Sequence, residues 1–568
     1  MTAPVPPSVP APAPPAGVPL PAPPAGPPQP PSRTEATRLL CAGAYFDTDF
    51  RTRVIEQLVE HEERPVAPSL GVDVLPVLAH ALRARRREAQ TGVWALLVWL
   101  GFIACALTGA GSQTLVPVPW CLAYAALCAV AWFTRGAGAV SLAVFTLDRG
   151  AVRQATGGRL KLLLPLAVPL LSALYVLLVA VALFTGRNAW AAVVFPLLLV
   201  AVVWSHRDHV IGVMCRELGP AVYPVVPRPT LGDTPQWRRI AAAVDREQHA
   251  RLTIYDPFRP FVGAGKPYEP WSLAMELVPS GRGPVDAAEA EAGRAAAPRL
   301  TGRDVIDLVK PRLVALRESA AASRDRLRDL EIEEFVYLPA GLHRADVSYD
   351  PATVEEHVQA AVGEGAEARR HFLRVRVGAW DEQVVVSVLV RVHTQGGMLV
   401  LEVVPHVLTP VRPEYRAVDV IAARGRGGGG RETLHALLAT PAAGVTAGLS
   451  LARTALSVFR TWLTVPQHGF PDGPAASVRE LGSVDEVSIF QEMDISRYVK
   501  TLQDRITSGV RDALRSAGYA TGEFEQKIVN VSGGGVYIGA MSGGAVATGE
   551  RASAKHVRQS RSGKGGPP

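Results

Sequence analysis

Four apolar runs decide most of what this chain can become. Val93 to Leu107 (VWALLVWLGFIACAL) and Val116 to Phe133 lie either side of a turn at Gly109 to Gln113, and Leu162 to Thr185 and Ala189 to Trp204 repeat that plan around TGRN. Roughly 15 to 24 residues at 1.5 Å per residue cover about 22 to 36 Å, comparable with a bilayer's hydrocarbon core. Backbone groups in lipid have no water to bond, so such runs must be helical. The expectation is four transmembrane helices in two hairpins, at 91–134 and 161–206, with a basic loop at 135–160 between them.

Charge orients the hairpins. Arg83, Arg85, Arg86 and Arg87 precede the first run, Arg135, Arg149, Arg153, Arg159 and Lys161 fill the central loop, and Arg207 and Arg216 follow the fourth; the other two loops hold only Arg187. Positive charge is retained inside, which predicts a multi-pass plasma-membrane protein with both termini cytoplasmic. Trp94, Trp120, Trp132, Trp190 and Trp204 sit near the run ends, as interfacial aromatics do. No Asp, Glu, Lys, Arg or His interrupts a run, and such groups are the usual mark of an ion or proton path. Small-solute transport is therefore only a third reading. The outer loops span a few residues each, so any folded surface has to be cytoplasmic.

The flanks divide by composition. Residues 1–34 are almost entirely Pro, Ala, Val and Gly to residue 31, which cannot bury a core and predicts a disordered, polyproline-like arm. No basic stretch precedes a continuous apolar run there, so it does not read as a signal peptide. Five scattered cysteines, Cys41, Cys105, Cys121, Cys128 and Cys215, show neither a disulfide framework nor metal spacing. Residues 35–90 read as a cytoplasmic helical segment in which Phe50, Val54, Leu58 and Val59 share a face.

From 230 to 525 the pattern is that of an α+β domain with helices covering one sheet face. Arg251 to Ile254, Trp271 to Leu277 and Glu334 to Leu338 read as strands, and HFLRVRV, VVVSVLVRVH and MLVLEVV, between His371 and Val404, as an antiparallel meander. Thr301 and Asp304 form a variant capping box, Gly448 to Leu463 reads as a helix, and a longer one runs from a cap at Asp494 to a stop at Gly518. Glu331, Glu333 and Glu334 read as a solvated junction. Residues 526–568 form a Gly-rich, β-prone and then basic tail.

Candidate chemistry is sparse. In FVGAGKPYEP, Gly263, Gly265 and Lys266 suggest a phosphate loop, yet Pro267 stands where a P-loop needs Ser or Thr. RGRGGGGR adds Arg424, Arg426 and Arg431 as possible phosphate contacts, although long glycine runs are usually surface loops. His206 and His209 lack a third ligand for a metal site. No catalytic, cofactor-binding or metal residue is nominated, and no cofactor is expected. In the tail, GVYIG and AVATG place Val536, Tyr537, Ile538, Gly539, Val546 and Gly549 in two short β-prone phrases of low charge without Pro, the composition of assembling strands. The first is similar to the V-x-I-G core of amyloid signalling motifs in bacterial and animal adaptor proteins, with Tyr537 in place of their Gln.

YDPFRPFVGAGKPYEPWSLAMEL (Tyr255 to Leu277), PEYRAVD (Pro413 to Asp419), and SVRE with IFQEMDISRYVKTL (Ser477 to Leu502) together resemble a group of uncharacterised multi-pass membrane proteins of high-GC actinobacteria. That resemblance implies a Pro-rich head, paired spans and a cytoplasmic α+β domain, and assigns no ligand. The reading is a membrane protein presenting a cytoplasmic interaction, signalling or scaffold domain without identifiable catalysis. A membrane-tethered enzyme acting on a phosphate-containing lipid or nucleotide is the alternative. Expected partners are the bilayer and, through the tail, proteins or a second copy of the chain; nucleic acid is not among them.

Overall fold

The computed structural model describes residues 31–108, 118–135, 160–185, 189–280, 300–323, 325–342, 344–362, 369–379, 383–425 and 473–532. Thr34 caps α1 (Glu35–Phe46) by accepting the Thr37 N–H, and Asp47 caps α2 (Thr48–Ile55) by accepting the Phe50 N–H at 2.9 Å. Phe50, Val54, Leu58 and Val59 are all buried, as their spacing requires. The apolar helices follow: α3 (Val74–Thr108), α4 (Val118–Arg135), α5 (Leu160–Phe184) and α6 (Trp190–Arg216), and then the polar α7 (Pro235–Glu247).

Two of these, α3 and α6, are long and apolar enough to cross a bilayer, and most of their apolar windows is not buried by protein. The sequence led to four such helices; the described apolar parts of α4 and α5, Val118–Ala131 and Leu170–Phe184, fall short of crossing length. The four pack around aromatic side chains: Phe102 stacks on Phe195 at 4.8 Å, Trp99 meets Tyr124 at 5.8 Å, and Tyr175 donates its hydroxyl to the Ala192 carbonyl at 2.9 Å. Leu100, Leu122, Leu174 and Leu197 point outward.

α3 does not begin at the apolar run. It starts at Val74, and its first turns lie in the soluble core with Val74, Leu75, Val77, Leu78 and Ala81. The end of α6 does the same through Val213 and Met214. The segment before the first apolar run therefore does not stand alone, because it shares one core with the end of α6, with α7 and with Val411, Tyr415, Val418, Ile421 and Val478.

The sheet domain contributes β1 (Leu252–Ile254), β2 (Lys266–Pro267), β3 (Trp271–Glu276), α8 (Gly302–Ser323), β4 (Glu331–Leu338), α9 (Pro351–Ala361), β5 (Arg370–Ala379), β6 (Val384–Gln395), β7 (Met398–Leu408), α10 (Ala417–Arg424), α11 (Val478–Leu481), α12 (Ile489–Ser516) and α13 (Gly522–Ser532). Strand order is β1-β4-β5-β6-β7-β2, with β3 also paired to β7. Only β1 with β4 is parallel. The expected meander is β5-β6-β7, with Leu373 opposite Val390 and Val390 opposite Val403.

α8 and α12 cover one face of the sheet. Thr301 and Asp304 cap α8 reciprocally, at 2.8 and 3.2 Å. α12 begins at Ile489, earlier than expected, because Ser488 and Gln491 form a full capping box ahead of Asp494. It ends beside Gly518, whose φ of +78° suits a residue without Cβ. Leu502, Ile506, Val510 and Leu514 are fully buried along it, each burial stabilising by about 1.5–3 kcal/mol. The helix expected over Gly448 to Leu463 lies outside the described residues.

Candidate functional site

The loop read as a phosphate candidate is folded onto the second face of the sheet. Phe261 stands edge-on to Tyr337, Phe372 and His406, with centroids 5.3, 5.2 and 5.1 Å away. Beyond it, Gly263 and Gly265 take φ of +99° and +93°, a region glycine enters without steric penalty. Their N–H groups converge on Oε1 of Glu480, at 2.7 and 3.0 Å, while Oε2 accepts the Ser477 N–H at 3.3 Å and closes the capping box of α11. Converging backbone N–H groups make an anion-binding concavity, and the anion here is a side chain of the same chain.

Lys266 follows on β2 and donates to Oδ1 of Asp485 at 2.9 Å and to its carbonyl at 3.3 Å. That hydrogen bond from Lys266 holds the Asp485 carboxyl below its ordinary pKa. Arg424 ends α10 in an exposed position, and among the described residues no contact joins it to Lys266. Arg426 and Arg431, and the tail residues Val536, Tyr537, Ile538, Gly539, Val546 and Gly549, lie outside the described residues.

Where the apolar helices enter the soluble body, buried charges stitch them to the N-terminal helices. Arg51 of α2 forms an ion pair with Glu88 of α3, both side chains buried, and also donates to the Ala44 carbonyl at 3.1 Å. Thr91 of α3 and His206 of α6 meet at 3.1 Å. Arg38 of α1 is 2% exposed; it pairs with Glu35 and with Asp419 of α10, and donates to the Leu218 carbonyl just past α6 at 2.9 Å. Sequence reasoning assigned Arg38, Arg51 and Glu88 no role, since nothing local marks an arginine whose partner lies far along the chain.

A second network crosses the sheet. Glu334, read from sequence as solvated, is buried and accepts from His371 Nε2 at 2.8 Å, from Arg303 at 3.0 Å and from Lys310. Burial opposes its ionisation, but the hydrogen bonds from His371, Arg303 and Lys310 outweigh that and hold its carboxyl well below the usual range. Its neighbours Glu331 and Glu333 pair with Arg376 and Arg374. Arg479, 2% exposed, ties α11 to the ends of β6 and β7 through the carbonyls of Gln383 and Thr409, at 2.6 and 2.8 Å. Burial brings its pKa down to about 10, against the pull of Glu480.

Beside the joint opens a cleft of about 420 Å³, lined by His80 and Arg83 of α3, by Glu217 just past α6, and by Arg33, Tyr223 and residues 226–230. Arg83 pairs with Glu217 at 3.0 Å. Arg228 is held by Asp73 and Asp245, at 2.6 and 2.5 Å. The Tyr223 hydroxyl donates to the Ser32 carbonyl at 2.7 Å. Among the described residues no group of three or more His, Cys, Asp or Glu converges as a metal site would need.

A family model described as the AbeC-like domain matches residues 270–545. The match takes in β3 to β7 and α8 to α13, and leaves outside it the apolar helices, the N-terminal helices and the whole cleft lining. No curated protein and no solved structure matches the chain.

Proposed function

We propose that the chain is a multi-pass plasma-membrane protein, crossing four times with both termini cytoplasmic, that presents its sheet domain as an interaction or scaffold surface. The observation that carries this reading is the continuity of α3 and α6. Each runs unbroken from an outward-facing apolar stretch into the buried core of the soluble body, so the bilayer and the domain would share two rigid rods. Leucines outside an aromatic interior suit lipid on every side. The arginines at 83, 85, 86, 87, 207 and 216 fall at the body end of both rods, which suits a cytoplasmic body.

An interaction role is supported by Ile489, Phe490 and Met493, exposed together at the start of α12 beside Asp485, Glu486 and Glu492. An enzyme acting on a phosphate-containing substrate would need the Gly263 and Gly265 amides and Lys266 free, and Glu480 and Asp485 already engage them. Self-association through the tail belongs to the same reading.

A reporter active only outside the cell, fused to the C-terminus, tests the topology: it stays silent in this account, and activity overturns it. Co-isolation from native membranes with the parent and with Phe490→Ser tests the surface. Loss of specific proteins with the variant supports it, and identical recoveries contradict it.

A further inference from the structure

The cleft beside the joint has the chemistry of an anion site that the rest of the molecule does not use. Three guanidiniums line it against one carboxylate, and they are not equally engaged. Arg228 is committed to two aspartates. Arg83 gives one N–H to Glu217 and is 47% exposed, and its other donors have no partner among the described residues. Arg33 makes no hydrogen bond or ion pair to the described residues. On the floor, His80 uses Nδ1 on the Tyr45 hydroxyl at 3.3 Å, and its other ring nitrogen has no partner among the described residues. The opposite wall, Val226, Pro227 and Pro229, is apolar.

We infer that this cleft binds a soluble phosphate monoester with a flat or apolar body, of about mononucleotide size. A phosphate offers several acceptor oxygens to the planar forks of Arg33 and Arg83, which is the pairing guanidinium geometry favours. The volume lies within the range of small-molecule pockets, and the proline wall gives the body an apolar surface without a competing hydrogen bond. Glu217 opposes an anion, but its charge is offset by Arg83, which donates a single N–H to it. Lipid headgroups carry the same chemistry, and distance separates the two sources. Arg83 precedes Val93 by ten residues of continuous helix, about 15 Å below the apolar run, whereas the headgroup layer is only about 5–8 Å deep. Because the cleft walls are the body ends of α3 and α6, occupancy would bear on the two rods together.

Calorimetric titration of the full chain in detergent tests this, with adenosine monophosphate, inorganic phosphate, dioctanoyl phosphatidic acid and citrate as probes. Adenosine monophosphate is expected to bind saturably at one site. Arg33→Ala and Arg83→Ala should each weaken it at least about tenfold, while Lys500→Ala, on the exposed side of α12, leaves it unchanged. Arg33 has no partner to lose among the described residues, so its variant should keep the parent's melting temperature. Absence of saturable binding by any phosphate probe at millimolar concentration, binding indifferent to both arginines, or citrate binding as tightly would each overturn the inference. Binding of phosphatidic acid alone would overturn the soluble source. The titration reads binding irrespective of orientation in the bilayer, so its failure would leave the membrane reading standing.

Discussion

The carboxylate of Glu480 accepts the backbone N–H of Gly263 at 2.7 Å, across 217 residues of sequence. The same oxygen holds Gly265, so one acid replaces the external anion that a glycine-rich loop with a following lysine would suggest.

Glu480→Ala removes the acceptor of both amides and half of the α11 capping box, and should cost about 2–3 kcal/mol. Glu480→Gln keeps one carbonyl oxygen and should lose less. Urea unfolding of the full chain in detergent reads the difference; an alanine variant as stable as the parent would contradict the nest. Gly265→Ala should be worse than Glu480→Gln, since its Cβ would lie 2.2 Å from the Val407 carbonyl oxygen at a positive φ.

Glu334 makes stability depend on acid in a stated direction. Its folded carboxyl lies below the unfolded value of about 4.3, so its contribution is complete above that value and is lost as pH falls below it. The charged groups facing it are Arg303 and Lys310, with His371 on β5. Glu334→Gln should cost about 3 kcal/mol at pH 7, and the gap to the parent should stay level down to pH ~4 and narrow progressively below it, as the unfolded parent's carboxyl protonates before the folded one. A melting-temperature difference that stayed level from pH ~4 down to pH ~2 would show that the network does not hold the carboxylate.

The Arg51–Glu88 pair is buried on both sides, where removing one partner strands the other's charge. Arg51→Met alone should destabilise by about 3–5 kcal/mol, and adding Glu88→Met should restore much of the loss. A double-mutant cycle with purely additive losses would mean the two groups do not interact.

Local patterns in the chain carried the sheet meander, because HFLRVRV alternates, VVVSVLVRVH alternates in part, and short polar segments separate the three runs. They also carried the Thr301–Asp304 cap and the buried stripe of α12. What they could not carry were pairings closed over long separations. β1 joins β4 in parallel across the whole α8 segment, and Tyr415 packs so tightly on Gly43 that a Cβ there would lie 2.4 Å from its ring. The basic run before the first apolar stretch suggested a boundary, yet charged residues fit one continuous helix when Arg83 meets Glu217 and Glu88 meets Arg51. The phosphate candidate misled for a similar reason, since Glu480 is invisible from the loop it fills.

The account turns on which side of a membrane the body lies, and Phe258, 94% exposed in the loop after β1, reports it directly. With Phe258→Cys in intact cells, a membrane-impermeant maleimide should add nothing above the parent's background, and labelling should rise once the membrane is opened. Full labelling of that cysteine before the membrane is opened would contradict the cytoplasmic placement.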